Sequence, residues 1–96
     1  MTSKQRAYLR GLANGLEAIF QIGKGGTSDN QIQQLKDALE ARELIKISVL
    51  ETAPANAREY GEEIARLTDS TLVQTIGNKI TLFKQRKENS KIELPK

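Results

Sequence analysis

The 96-residue chain contains no cysteine and no histidine. The first absence excludes disulfides, thiolate zinc sites and a cysteine nucleophile. The second removes the commonest general base and the commonest metal ligand. Tryptophan is also missing, and Tyr8, Phe20, Tyr60 and Phe83 are the complete aromatic set, so the core has to come mainly from Leu, Ile, Val and Ala. No apolar run approaches the roughly 20 residues of a membrane span. The opening Met1-Thr2-Ser3-Lys4-Gln5-Arg6 leads into no apolar segment of a secretory signal. The expectation is a cytoplasmic protein without membrane contact. With no paired carboxylates in an evident pocket either, an enzyme would have to rely on lysine and backbone alone. The expectation is therefore a non-enzyme that needs no cofactor and no metal.

What is present fits one soluble domain over residues 1–96, since hydrophobic residues make up 38% and charged residues 28%. Net charge is +3, but its distribution is uneven. Lys4, Arg6 and Arg10 precede the first acid, Glu17, and residues 77–96 hold six bases against two acids. Between them, Glu51, Glu59, Glu62, Glu63 and Asp69 outnumber Arg58 and Arg66. A fold that joins the ends has a positive face and a negative back.

Thr2 with Gln5 is a capping-box pattern that opens a helix, with Tyr8, Leu12 and Leu16, and Leu9 alongside, at helical spacing and a stop near Gly15. Lys4, Arg6 and Arg10 are left on its outer side. "AIFQI" reads as a short strand. Ser28 with Gln31 starts a second helix carrying Ile32, Leu35, Ala38 and Leu39 as far as Arg42. "ELIKISVL" alternates Ile45, Ile47 and Val49 with Lys46 and Ser48, as a half-buried strand does. A third helix from Ala55 to Leu67 puts Ala57, Tyr60, Ile64 and Leu67 on one stripe and its acids on the other. "TLVQTIGNKITLFK" is two strands around Gly77-Asn78, a short-range hairpin signal.

The predicted fold is α/β, an α+β two-layer arrangement of order αβαβαββ. It has a four-stranded mixed sheet: parallel pairing across the strand–helix–strand unit and an antiparallel hairpin at the end. The first helix is expected to help cover the sheet face opposite the other two. Residues 85–96 form a polar, basic tail, and Lys84 just before it, with Arg86 and Lys87, contributes charge without a fixed pose. Ile92 and Leu94 are its means of docking back. Tyr8 and Phe20 are expected in the core.

"FQIGKGGTSDN" is the segment with chemical content. It joins a strand to a helix whose first N–H groups and dipole favour an anion. Gly23, Gly25 and Gly26 admit close approach, and Lys24 adds a charged donor. A phosphate-binding P-loop fails because Ala18 and Gly25 stand where Gly and Ser or Thr are required, and a dinucleotide fingerprint fails at Ser28. Gly23-Lys24-Gly25-Gly26 does fit G-x-x-G, the KH-like loop that clamps nucleic-acid backbone. A plain strand-to-helix turn is the alternative for the loop alone. An RNA strand needs further cations, and Lys4, Arg6, Arg10, Lys24, Lys79, Lys84, Arg86 and Lys87 supply candidates. Lys46 reads as a solvent-side residue rather than a contact.

"SKQRAYLRGLA", "IGKGG", "ALEARELIKISVL", "VQTIGNKITLFK" and the closing "KIELP" together resemble the CRM domain (chloroplast RNA splicing and ribosome maturation) in its bacterial stand-alone YhbY-like form. The similarity spans nearly the whole chain. It implies an αβαβαββ fold like the C-terminal domain of translation initiation factor three. It further implies RNA binding through Gly23 to Gly26 and neighbouring basic surface, and association with ribosomal RNA in precursor large subunits, with a monomer as the expected state. The competing expectation is a small protein–protein adaptor whose basic surface meets an acidic partner.

Overall fold

Helix starts follow from residues three apart. In the computed structural model, which describes residues 1–96, α1 (Ser3–Ala13) and α2 (Asp29–Arg42) both open with complete capping boxes. Thr2 Oγ1 accepts from Gln5 N–H at 3.1 Å, and Gln5 Oε1 accepts from Thr2 N–H at 3.0 Å. Ser28 and Gln31 repeat the exchange at 3.2 and 2.9 Å. A cap of this kind is worth about 1 kcal/mol. The third helix, α3 (Ala57–Thr68), starts two residues later than its sequence pattern predicts because Asn56 Oδ1 takes the Glu59 N–H and so defines the first turn.

The strands are β1 (Phe20–Ile22), β2 (Leu44–Val49), β3 (Thr71–Ile76) and β4 (Lys79–Phe83), so the chain runs αβαβαββ. They form one mixed sheet in the order β1-β2-β4-β3, with β1 parallel to β2 and the other pairs antiparallel. The hairpin turns on Gly77, whose φ of 57° is the left-handed conformation a two-residue hairpin loop requires. The β3–β4 register shifts between Leu72 and Gln74, a bulge that turns Val73 out of step.

Both faces of the sheet are covered. α2 and α3 close one over Ile45, Ile47 and Val49 of β2 and Ile80 and Leu82 of β4, with Ile32, Leu35, Leu39, Tyr60 and Ile64 between. On the other, Leu9 and Ala13 of α1 meet Leu44, Val73 and Phe83, and Ile92 and Leu94 of the C-terminal segment pack beside them. The first helix thus covers the opposite face as expected, adding a third layer to the two of the sheet and the α2–α3 pair. Each Leu or Ile so buried stabilises the fold by about 1.5–3 kcal/mol before conformational entropy is counted. No helix is long and apolar enough to cross a membrane.

Several expected burials are corrected. β2 is not half-buried: as an interior strand under two layers it buries Leu44 and Ser48 as well as Ile45, Ile47 and Val49. Tyr8, expected in the core, is 42% exposed, and Leu12, Leu16 and Leu67 are exposed too. A helix crossing a sheet buries a narrow stripe, and here that stripe is Leu9 and Ala13. α1 ends at Ala13 with Asn14 as cap, ahead of Gly15. Phe20 does pack against the α2–α3 core.

The C-terminal segment is held rather than loose. Glu43, the residue between α2 and β2, is 1% exposed and has a φ of 65°. Its carboxylate accepts from Arg86 N–H at 2.9 Å, from Ser90 Oγ at 2.7 Å and from Lys91 N–H. Burial pushes this carboxyl up, but the Ser90 hydroxyl and the backbone N–H groups of Arg86, Lys91 and Ile92 outweigh it and hold the carboxyl below its ordinary value. Gln5 Nε2 donates to Pro95 O at 3.0 Å, so the two basic ends meet on one side of the sheet. The acids Glu59, Glu62 and Glu63 are exposed on the opposite layer.

Candidate nucleic-acid interface

The Gly23–Gly26 segment is a closed turn. Gly26 N–H donates to Gly23 O at 3.0 Å, which leaves Lys24 and Gly25 exposed at its tip. Their own N–H groups donate to nothing else in the chain. The glycines are not equivalent. Gly26 has a φ of 68°, which disfavours any side chain, and a Cβ there would stand 3.1 Å from Tyr60 Oη. Gly25 has an ordinary φ and nothing within 4 Å of where its Cβ would be, so the free fold places no demand for glycine there.

The expected anion site at the helix start is partly filled by what the helix already holds. The Ser28–Gln31 capping box satisfies two end groups, and Asp29 in the first turn complements the dipole. The N–H groups of Lys24 and Gly25, four and three residues before the cap, and the Lys24 ammonium add to the Asp29 and Asn30 N–H groups, which the box leaves free.

The remaining candidates separate into three places. Lys79 lies at the loop end of the sheet, where it opens β4, and its Nζ donates to Ser48 Oγ at 2.7 Å. Ser48 pairs with both Lys79 and Gln21, and Lys46 lies two residues away along β2, about 7 Å. Alternation puts Lys46 and Ser48 on the same face as Leu44, the face of α1. There Gln21, Lys46, Gln74 and Lys79, with Ser48 and Thr81 between them, form a stretch with no acid on the strands themselves, and Glu17 lines the hollow beside Lys46. Lys46 is thus part of a basic strip, which its alternation pattern alone did not disclose.

On α1 the three bases have different surroundings. Arg6 Nη1 donates to Leu72 O and Val73 O, both at 2.7 Å, and so fastens α1 to the β3 bulge. It is not the free outward cation expected, because the bulge leaves carbonyls within reach of its guanidinium. Arg10 is one turn further on the same flank and exposed, whereas Lys4 points outward with Tyr8. Lys84 and Arg86 are at the far end of the sheet, about 17 Å from Lys79 at ~3.4 Å per residue. Lys84 Nζ donates to Thr68 O at 3.3 Å at the end of α3, and Arg86 N–H is bound by Glu43. The single salt bridge of the protein, Arg58–Glu62, involves none of these residues, so no carboxylate neutralises them.

Glu43 is the residue that sequence reasoning missed. It looks like the first residue of a strand, and no local pattern marks it as the anchor of a segment more than forty residues away. Tyr60 is core, as its place on the apolar stripe of α3 predicts, but no local pattern shows that its hydroxyl lies against the loop.

Residues 1–84 match the CRS1 / YhbY (CRM) domain. The chain is 52% identical over 95 residues to "Probable RNA-binding protein YqeI" of Bacillus subtilis, covering 99% of each. It is 31% identical over 96 residues to an RNA-binding protein of Haemophilus influenzae, covering 100% of this chain and 96% of that one. Among solved structures, SAV1595 of Staphylococcus aureus superposes with a TM-score of 0.82 at 48% identity, over 99% of both chains. With the match running from Met1 through the end of the sheet, the chain belongs to the CRS1 / YhbY (CRM) domain family.

Proposed function

We propose that this protein binds RNA without catalysing a reaction, holding backbone phosphates at the Gly23–Gly26 turn and along the strip formed by Lys79 and Lys46, with Arg10 of α1 as a further contact. One observation carries this reading. The turn projects Lys24, two free N–H groups and a Gly25 that the free fold does not need, and phosphate is the ligand such a set of donors fits. The names of the relatives support the same class of ligand. Phosphate contacts position a strand without reading its bases, so affinity is broad in sequence and falls with salt. Resemblance to the family extends the reading to ribosomal RNA in precursor large subunits, where the protein, as a monomer, assists assembly. Arg6, Lys84 and Arg86 support the fold around this surface; Lys4 contributes charge from the outer face of α1.

The test replaces Lys24 and Gly25 together with Asp. Both side chains face solvent and Gly25 has room for one, so melting and circular dichroism stay as in the parent. Two negative charges against the phosphates abolish RNA binding. Undiminished affinity in the folded variant overturns the assignment. The ribosomal part is tested by sedimenting an extract with and without RNase. Loss from the large particles on RNase treatment supports it, and retention favours a protein partner on the basic surface instead.

A further inference from the structure

We infer that the hydroxyl of Tyr60 is a further RNA contact, a neutral donor that joins the Gly23–Gly26 turn in holding one phosphate. The inference rests on the reading that this turn binds RNA backbone. Tyr60 belongs to α3, and its ring is core: the residue is 6% exposed and packs among Ile32, Ile64 and Ile80. Its oxygen does something else. It stands 3.1 Å from where a Cβ on Gly26 would be, so it reaches out of the core to the underside of the turn.

That oxygen makes no hydrogen bond within the chain. In this protein every side-chain polar atom sealed from solvent has a partner, so the free Tyr60 hydroxyl opens to the surface at the turn. A buried tyrosine ordinarily finds a partner for its hydroxyl, and a phenylalanine would fill the same core volume. Here an unpaired donor stands against Gly26, in the same four-residue turn as the exposed Lys24 and Gly25. The conformation of Gly26 and the absence of a Cβ keep the space beside the hydroxyl open. A phosphate seated on the Lys24 and Gly25 N–H groups on that side meets the hydroxyl as a third donor. The ligand expected is a phosphodiester of single-stranded RNA.

The experiment compares the intact parent chain with Tyr60→Phe and, separately, Lys24→Asp, using a short single-stranded oligoribonucleotide of mixed sequence as probe. Affinity is measured across a salt series, with melting temperature alongside. Tyr60→Phe removes an oxygen that pairs with nothing in the free protein, so melting is unchanged. Affinity falls about ten-fold, as for loss of one hydrogen bond to a charged group. Because no charge is lost, the log–log salt slope stays that of the parent, whereas Lys24→Asp lowers it. If Tyr60→Phe binds within about two-fold of the parent while Lys24→Asp loses binding, the Tyr60 contact is wrong and the turn assignment stands. A changed salt slope in Tyr60→Phe means the turn itself has shifted, which also overturns the contact. Parent-like binding by both variants overturns the contact and the turn assignment together.

Discussion

Replacing Glu43 with Gln keeps the shape of a 1% exposed side chain and removes its charge. In the parent, two N–H groups and one hydroxyl converge on the carboxylate from Arg86, Lys91 and Ser90. Hydrogen bonds to a charged acceptor are worth about 1.5–3 kcal/mol each, and a donor left unpaired in the interior costs about 1–3 kcal/mol. Gln retains one acceptor oxygen but turns an NH2 group towards the remaining donors. Set against the relief of no longer burying a charge, the net loss is about 2–4 kcal/mol. At about 4–8 °C per kcal/mol for a domain of this size, the melting temperature falls by about 8–30 °C at neutral pH. The loss has a pH signature. A carboxyl held below its ordinary value contributes stability that is complete above the unfolded value, about 4.3 for Glu, and is lost as pH falls through the folded value. The gap between parent and variant is therefore widest at neutral pH and narrows below about pH 4. Thermal melts over this range are the assay, with trypsin cleavage at Lys87 and Lys91 as a local probe of the docked segment. Equal melting and equal cleavage in both proteins refute the anchoring role. A gap that does not change with pH refutes the carboxylate charge as its cause.

Gly26→Val places a β-branched residue at a φ of 68° with its Cβ 3.1 Å from Tyr60 Oη. Denaturant unfolding should show a loss of about 1–3 kcal/mol, and parent-like stability would mean that the turn relaxes. Arg6→Ala and Arg10→Ala should have opposite consequences. The first frees two carbonyls at the β3 bulge and lowers stability with little effect on salt dependence. The second leaves melting unchanged and lowers the log–log salt slope for single-stranded RNA by about 0.7. Identical behaviour of the two variants contradicts the division of labour on α1. Lys46→Ala should lower the same slope by a similar amount, and an unchanged slope removes it from the RNA path.

Much of the secondary structure was legible because its causes are local. The capping boxes of Thr2 with Gln5 and Ser28 with Gln31 close between residues three apart, and the hairpin depends on the φ of Gly77. Strand and helix alternation follows from periodicity, and the Gly-Lys-Gly-Gly composition marked the turn without any knowledge of its surroundings. These features need no partner from elsewhere in the chain, so the sequence by itself determined them, together with the exclusion of cysteine and histidine chemistry. Burial and the fate of the charged residues were decided by tertiary structure. Leu9 rather than Tyr8 faces the core because packing against Leu44, Val73 and Phe83 sets which side of α1 is turned to the sheet. β2 is buried on both sides because α1 and the C-terminal segment return to it. Arg6 is engaged by carbonyls 66 and 67 residues away, and Glu43 by groups 43 to 48 residues away. Lys84 and Lys79 are near neighbours in sequence, yet β4 carries them to opposite ends of the sheet. A charge can be read from sequence, but whether it is free or already bonded depends on which distant backbone groups the fold brings within 3 Å of it.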